Sequence, residues 1–159
     1  MCIRDRFDQA RAQAENRRVT LAHQRSSEAV IRGDRRHIEA ALRNLIQNAI
    51  AYSDAGARVA VTTRMTHDAT GDWVEIAVSD NGIGIAEADQ PRVFERFFRV
   101  DYGRSRANGG TGLGLSIVKH IASAHGGTVT LWSRLGQGST FTLRLPAHLP
   151  DHHAEGTAA

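Results

Sequence analysis

One stretch narrows the folds open to this chain more than any other. Arg43-Asn44-Leu45-Ile46-Gln47-Asn48-Ala49-Ile50-Ala51-Tyr52 sets two asparagines one turn apart on the flank of an aliphatic stripe. Asp34 is a good N-cap, and Ile38, Leu42, Leu45, Ile46 and Ala49 follow at helical spacing, so an amphipathic core helix is predicted over 34–52. Inside a helix each asparagine costs about 0.5–0.7 kcal/mol relative to alanine, and something the pair contacts must offset that cost. Two contacts would do so. One is a buried hydrogen-bond network; the other is a hard cation such as Mg²⁺, which takes an amide oxygen and keeps other positions for water and phosphate oxygens.

Two glycine-rich turns follow, Asp80-Asn81-Gly82-Ile83-Gly84-Ile85 and Gly109-Gly110-Thr111-Gly112-Leu113-Gly114-Leu115. The first ends a predicted strand over 73–79 in which Val74, Ile76 and Val78 share one face, and period two puts Asp80 on that face. A carboxylate pointing coreward needs N–H partners. Its own turn could supply them, and so could the exocyclic amino group of a purine. Gly82 and Gly84 would let the backbone approach a flat ligand. The second turn runs straight into a predicted helix over 112–125, whose first N–H groups and dipole suit phosphate oxygens. It is not a P-loop, because no Gly-Lys-Ser/Thr closes it, and it follows no βαβ strand.

The remaining chain reads as strands and one further helical piece. A helix is expected over 7–16, and short strands over 19–22 and 29–31 are expected to pair with each other, the second ending at Gly33. Val59, Val61, Thr63 and Met65 alternate with polar or small residues, which predicts the hairpin partner of 73–79 across a turn at Thr70-Gly71-Asp72. Pro91 is expected to start a short helix carrying Val93, Phe94, Phe97 and Val100, with Phe94 and Phe97 in the core and Arg99 able to reach a phosphate. In the second core helix Leu113, Ile117 and Ile121 are expected to face inward, with Gly126-Gly127 as the stop. Strands over 128–133 and 140–145 close the fold around a Gly136-Gln137-Gly138 turn.

Composition excludes several classes. The 159 residues suit one domain, and no apolar run is long enough to span a bilayer. A net charge of +3 with scattered arginines argues against nucleic-acid binding. Cys2 is the lone cysteine, so neither a disulfide framework nor a thiolate cluster can form, and the eight histidines lack zinc-helix spacing. A cytoplasmic location is expected, with an inner-membrane anchor left open for a longer protein.

In order and separation these elements resemble the ATP-binding catalytic domain of sensor histidine kinases. Residues 44–52 are similar to that family's N box, 80–85 to its first glycine box, 93–101 to its F box and 110–115 to its second glycine box. The resemblance covers about 19–145. It implies an α/β two-layer sandwich, a mixed β-sheet packed on three helices, known as the Bergerat ATP-binding fold. It also implies ATP and Mg²⁺ as cofactors. Asn48 would ligate the metal and Asn44 would support it or its waters, these two being the catalytic pair. Tyr52 and Ile85 would line the nucleotide site, Asp80 would receive the adenine amino group, and Gly82 and Gly84 would flank the base. Gly110, Thr111, Gly112, Leu113 and Gly114 would hold phosphates, with residues 100–110 as an ATP lid.

Two departures from the family pattern stand out. Many relatives place Lys just before the N-box tyrosine, where this chain has Ala51, so Arg99 or Arg104 would have to supply the cation. No histidine is followed by the acidic residue and Arg-x-Pro of the phosphoacceptor motif. The expected organisation is 1–17 as the end of a dimerisation helix or a non-native start, 18–147 as the catalytic domain, and 148–159 as a flexible tail. The resemblance implies γ-phosphoryl transfer to a histidine on an upstream helical domain and thence to a response regulator. Homodimers would form only in the full-length protein. The alternatives on the same fold are an ATP-driven conformational switch of the gyrase or mismatch-repair type and a serine-kinase anti-sigma module. The switch enzymes carry Glu one turn before the metal-binding Asn, where this chain has Asn44, and an amide cannot serve as their general base.

Overall fold

The computed structural model describes residues 4–25, 30–100 and 112–148. Within them the predicted Asn-bearing helix forms as α2, Arg35–Ala51. The Asp34 carboxylate caps it, accepting from the N–H groups of Arg36 at 2.8 Å and His37 at 3.2 Å. Its buried stripe includes Ile38, Leu42, Leu45, Ile46 and Ala49, as the helical spacing requires.

Strands β1 (Thr20–Arg25), β2 (Arg58–Asp68), β3 (Gly71–Asp80), β4 (Thr128–Arg134) and β5 (Gly138–Pro146) form one sheet in the order β1-β2-β3-β5-β4. The β1–β2 pair is parallel and every other pair antiparallel, so the sheet is mixed. Val59 and Val61 of β2, Val74, Ile76 and Val78 of β3, and Phe141, Leu143 and Leu145 of β5 are buried on the helix side. They share one core with α1 (Arg4–Asn16), α2 and α3 (Gly114–Ala124). The expected two-layer sandwich is therefore present. Ala14 of α1 is 1% exposed within that core.

Helices α2 and α3 are tied together twice. The His125 ring lies over Gly33, accepts the Asp34 N–H through Nε2 at 3.1 Å and donates from Nδ1 to the Ile121 carbonyl at 2.8 Å. At the other end, Gly114 meets the Asn44 side chain so closely that an added Cβ would lie 3.1 Å from Oδ1. Two antiparallel helices thereby bring the asparagine flank of one to the first turn of the other.

Three expectations are corrected. The strand expected over 29–31 does not pair with β1: Ile31 makes only an isolated bridge to Ala147, and Ala29 lies outside the described residues. The partner of β1 is β2, reached through the α2 crossover that parallel pairing needs, and a short apolar run carries no record of its partner. The helix expected after Pro91 is a 3₁₀ turn, Gln90–Arg92. Phe97 then takes φ 65°, donates its N–H to the Gly112 carbonyl at 2.9 Å and stands 67% exposed. Phe94 does pack inward, edge-on to Phe141 at 6.0 Å. Lastly, α3 buries Val118, Ile121 and Ala122, while Ile117 is 42% exposed. Adjacent apolar stripes on a short helix look alike until a neighbouring helix selects one.

The β4–β5 turn depends on Gly138, whose φ is +116° and where an added Cβ would overlap the Asp80 carbonyl oxygen. Gly138→Ala is expected to lower stability by about 2 kcal/mol or more, because left-handed strain and a backbone clash add. Chemical denaturation reads this out, and a variant as stable as the parent would show that the turn relaxes freely.

Candidate nucleotide site

A cavity of about 390 Å³ opens between α2, the turn after β3, the segment before residue 100 and the start of α3. Asn44, Asn48, Ala51 and Tyr52 line it from α2, spaced so that one helix flank faces it. Asp80, Gly84 and Ile85 enter from the first glycine turn, Arg99 from the segment after the 3₁₀ turn, and Gly112 and Gly114 from the second glycine turn. Elements far apart in sequence thus converge on one space.

The two asparagines differ in what holds them. Asn44 donates from Nδ2 to the Ala40 carbonyl at 3.0 Å, so its amide is fixed and its oxygen is presented toward Gly114. Asn48 and Tyr52 are half-buried, line the cavity, and have no side-chain hydrogen bond among the described residues. An amide and a phenol in that state face the ligand space with free capacity. The buried-network explanation accordingly fits Asn44 in part and does not fit Asn48.

Asp80 is bonded within its own turn. Its Oδ1 accepts the Gly82 N–H at 2.9 Å, the local cap of its own turn. It nevertheless lines the cavity. Burial pushes its carboxyl pKa up, and the backbone N–H groups of Gly82 and Ser139 only partly oppose this. A desolvated carboxylate with remaining acceptor capacity attracts a neutral N–H donor.

The glycines serve the scaffold as much as the cavity. An added Cβ at Gly82 would overlap the Tyr52 carbonyl, and Gly82 does not itself line the cavity. Gly84 lines it at φ +72°, yet its Cβ would overlap the Arg134 carbonyl, so the β4–β5 hairpin demands the glycine. Gly112, at φ +73°, is held against the Phe97 backbone. Leu113 precedes α3 without lining the cavity. Gly110, Thr111, Arg104 and all of the expected lid except Val100 lie outside the described residues, and Val100 lines the cavity.

Sequence reasoning missed Gln13 and Ser139. Gln13 reaches the cavity from α1, and no local pattern marks it. Ser139 sits opposite Asp80 in the β3–β5 register, a placement that only strand pairing reveals. Among the described residues no cluster of His, Cys, Asp and Glu could hold a metal, and no helix is long and apolar enough to cross a membrane.

Residues 33–149 match the family described as Histidine kinase-, DNA gyrase B-, and HSP90-like ATPase. The chain is 49% identical over 143 residues to the sensor-like histidine kinase SenX3 of Mycolicibacterium smegmatis, covering 89% of the chain and 36% of that protein. It is 42% identical over 113 residues to the sensor histidine kinase WalK of Bacillus subtilis, covering 71% of the chain and 18% of that protein. The chain thus spans about a third or less of the length of these curated relatives. Among solved structures, the mycobacterial sensor histidine kinase MprB superposes with a TM-score of 0.73 at 28% identity, covering 92% of this chain and 95% of that one. Full-length ShkA in complex with AMPPNP gives a TM-score of 0.75 at 29% identity, covering 94% of this chain and 31% of that one. The fold superposes on these kinases over nearly its whole length, and the chain belongs to the histidine kinase-, DNA gyrase B- and HSP90-like ATPases as an ATP-binding catalytic domain of the sensor-histidine-kinase type.

Proposed function

We propose that this chain binds Mg-ATP in the α2–α3 cavity and donates the γ-phosphoryl group to a histidine on a separate helical dimerisation domain. That domain would pass the group to a response regulator, making the chain the catalytic part of a two-component sensor kinase. The observation that carries this reading is the Asn48 amide, without a hydrogen-bond partner among the described residues, facing the same cavity as the Asp80 carboxylate. A neutral oxygen donor beside an open space suits Mg²⁺, which is held by few protein ligands and keeps its phosphate oxygens and waters. The metal would supply charge neutralisation across the phosphates.

The remaining roles belong to the same reading. Asp80 accepts the adenine amino group, Tyr52 and Ile85 border the nucleoside, and Gly84 lets the turn reach it. Gly112 and Gly114 bring the α3 N-terminus to the phosphates, and the adjoining sequence Gly110, Thr111 and Leu113 is assigned to the same group. Arg99 adds a cation on the cavity wall where Ala51 offers none. Asn44 holds the second position one turn before Asn48 and provides no carboxylate to deprotonate water. Transfer to a positioned nucleophile is therefore favoured over hydrolysis by a switch. The location is cytoplasmic, the chain binds no nucleic acid, and dimerisation belongs to the acceptor domain.

Radiolabelled ATP supplied to the chain together with a purified acceptor-histidine domain tests this directly. Acid-labile, base-stable label on the acceptor is expected, with little on the chain alone. Label fixed on one of the chain's own histidines, or phosphate release that outruns transfer, would overturn the assignment.

A further inference from the structure

We infer that Gln90 and Ser133 are positioning residues that hold the Gly84-Ile85 edge of the cavity and thereby set its selectivity for the base. Ile85 lines the cavity, and both its backbone polar groups are held by these side chains. Its N–H donates to the Ser133 Oγ at 2.8 Å, and its carbonyl accepts from Gln90 Nε2 at 3.0 Å. The second Gln90 amide hydrogen goes to the Ser133 carbonyl at 3.1 Å. Both acceptors are carbonyls, so the amide orientation is chemically determined: only NH₂ can face them.

Ser133 carries the chain of bonds to the strand residue paired with the acid. Its hydroxyl donates to the Gly138 carbonyl at 3.0 Å and lies 2.8 Å from the Ser139 hydroxyl, and Ser139 stands opposite Asp80 in the β3–β5 register. The 3₁₀ turn, the end of β4 and the start of β5 thus fix the spacing between Ile85 and Asp80. Base selectivity depends on that spacing. An acceptor carboxylate takes the amino group of adenine and repels the corresponding carbonyl of guanine, but only if the base is held in register with it. Neither residue need touch the nucleotide. The role presupposes nucleotide binding in the cavity proposed above.

Titration calorimetry with Mg-ATP and Mg-GTP on the parent chain, Gln90→Met and Ser133→Ala tests the role, with thermal melts alongside. The parent is expected to prefer ATP, and each variant to lose about fivefold or more of that preference, the equivalent of one hydrogen bond. A part that is merely structural would lower the melting temperature and leave the ATP-to-GTP ratio unchanged, and that result overturns the role alone. A parent chain that binds neither nucleotide overturns the nucleotide assignment and the role with it. If Ser133→Ala does not fold, Gln90→Met decides, since Gln90 sits half-exposed on a short turn outside the core.

Discussion

Asn48→Ala is expected to remove Mg²⁺-dependent nucleotide binding and leave the fold intact. The side chain lines the cavity and makes no hydrogen bond among the described residues, so its loss orphans no protein group. Alanine is the better helix former by about 0.5–0.7 kcal/mol, which keeps α2 at least as stable. What would disappear, on the proposed assignment, is an oxygen ligand of a dication. Loss of a charged contact of this kind corresponds to about a 10- to 100-fold fall in Mg-ATP affinity. Calorimetry with and without Mg²⁺ measures it, next to a thermal melt. Unchanged Mg-ATP binding would remove Asn48 from the metal site and leave its position in the helix unexplained.

Asp80→Asn is expected to separate stability from binding. Burial raises the Asp80 pKa above its usual 3.8, so folding disfavours the ionised form. The sign follows from proton linkage. The cost is absent below pH 3.8, grows as pH rises through the shifted value, and is fully present at neutrality. Asparagine keeps an oxygen for the Gly82 N–H and carries no charge. The variant should therefore melt higher than the parent at pH 7, with the difference shrinking toward pH 4. Its amide NH₂ would meet the amino group of adenine donor to donor, and ATP affinity should fall by about tenfold or more. Melts across pH and a nucleotide titration check both halves. A variant that melts lower at pH 7 would mean the carboxylate's N–H bonds outweigh its burial, and one that binds ATP as before would remove Asp80 from base recognition.

Local patterns reported the elements whose information is local. Helix α2 was legible from its cap and its stripe because both lie within one continuous segment. The β2–β3 hairpin was legible because period two and a short turn specify register together. The β1 partner was not, since a parallel pair is closed by the intervening helix. Phe97 misled because a left-handed backbone, held by Gly112 across the segment between them, turns an apolar side chain outward. The inward face of α3 was likewise chosen by α2 and the sheet, not by α3 itself.

The site divides in the same way. Residue types and order alone marked Asn44, Asn48, Tyr52, Asp80 and the glycine turns, because amides inside a helix, a coreward carboxylate and clustered glycines each stand out against their local background. Tertiary structure decided which of them share a cavity, that Asn44 is tethered while Asn48 has no side-chain hydrogen bond among the described residues, and that Gly82 and Gly84 are demanded by the Tyr52 and Arg134 carbonyls. It also brought Gln13 and Ser139 to the cavity and Gln90 behind it. Chemistry is written residue by residue, whereas adjacency is a property of packing: groups tens of residues apart meet only once the helices and strands between them have buried their apolar faces.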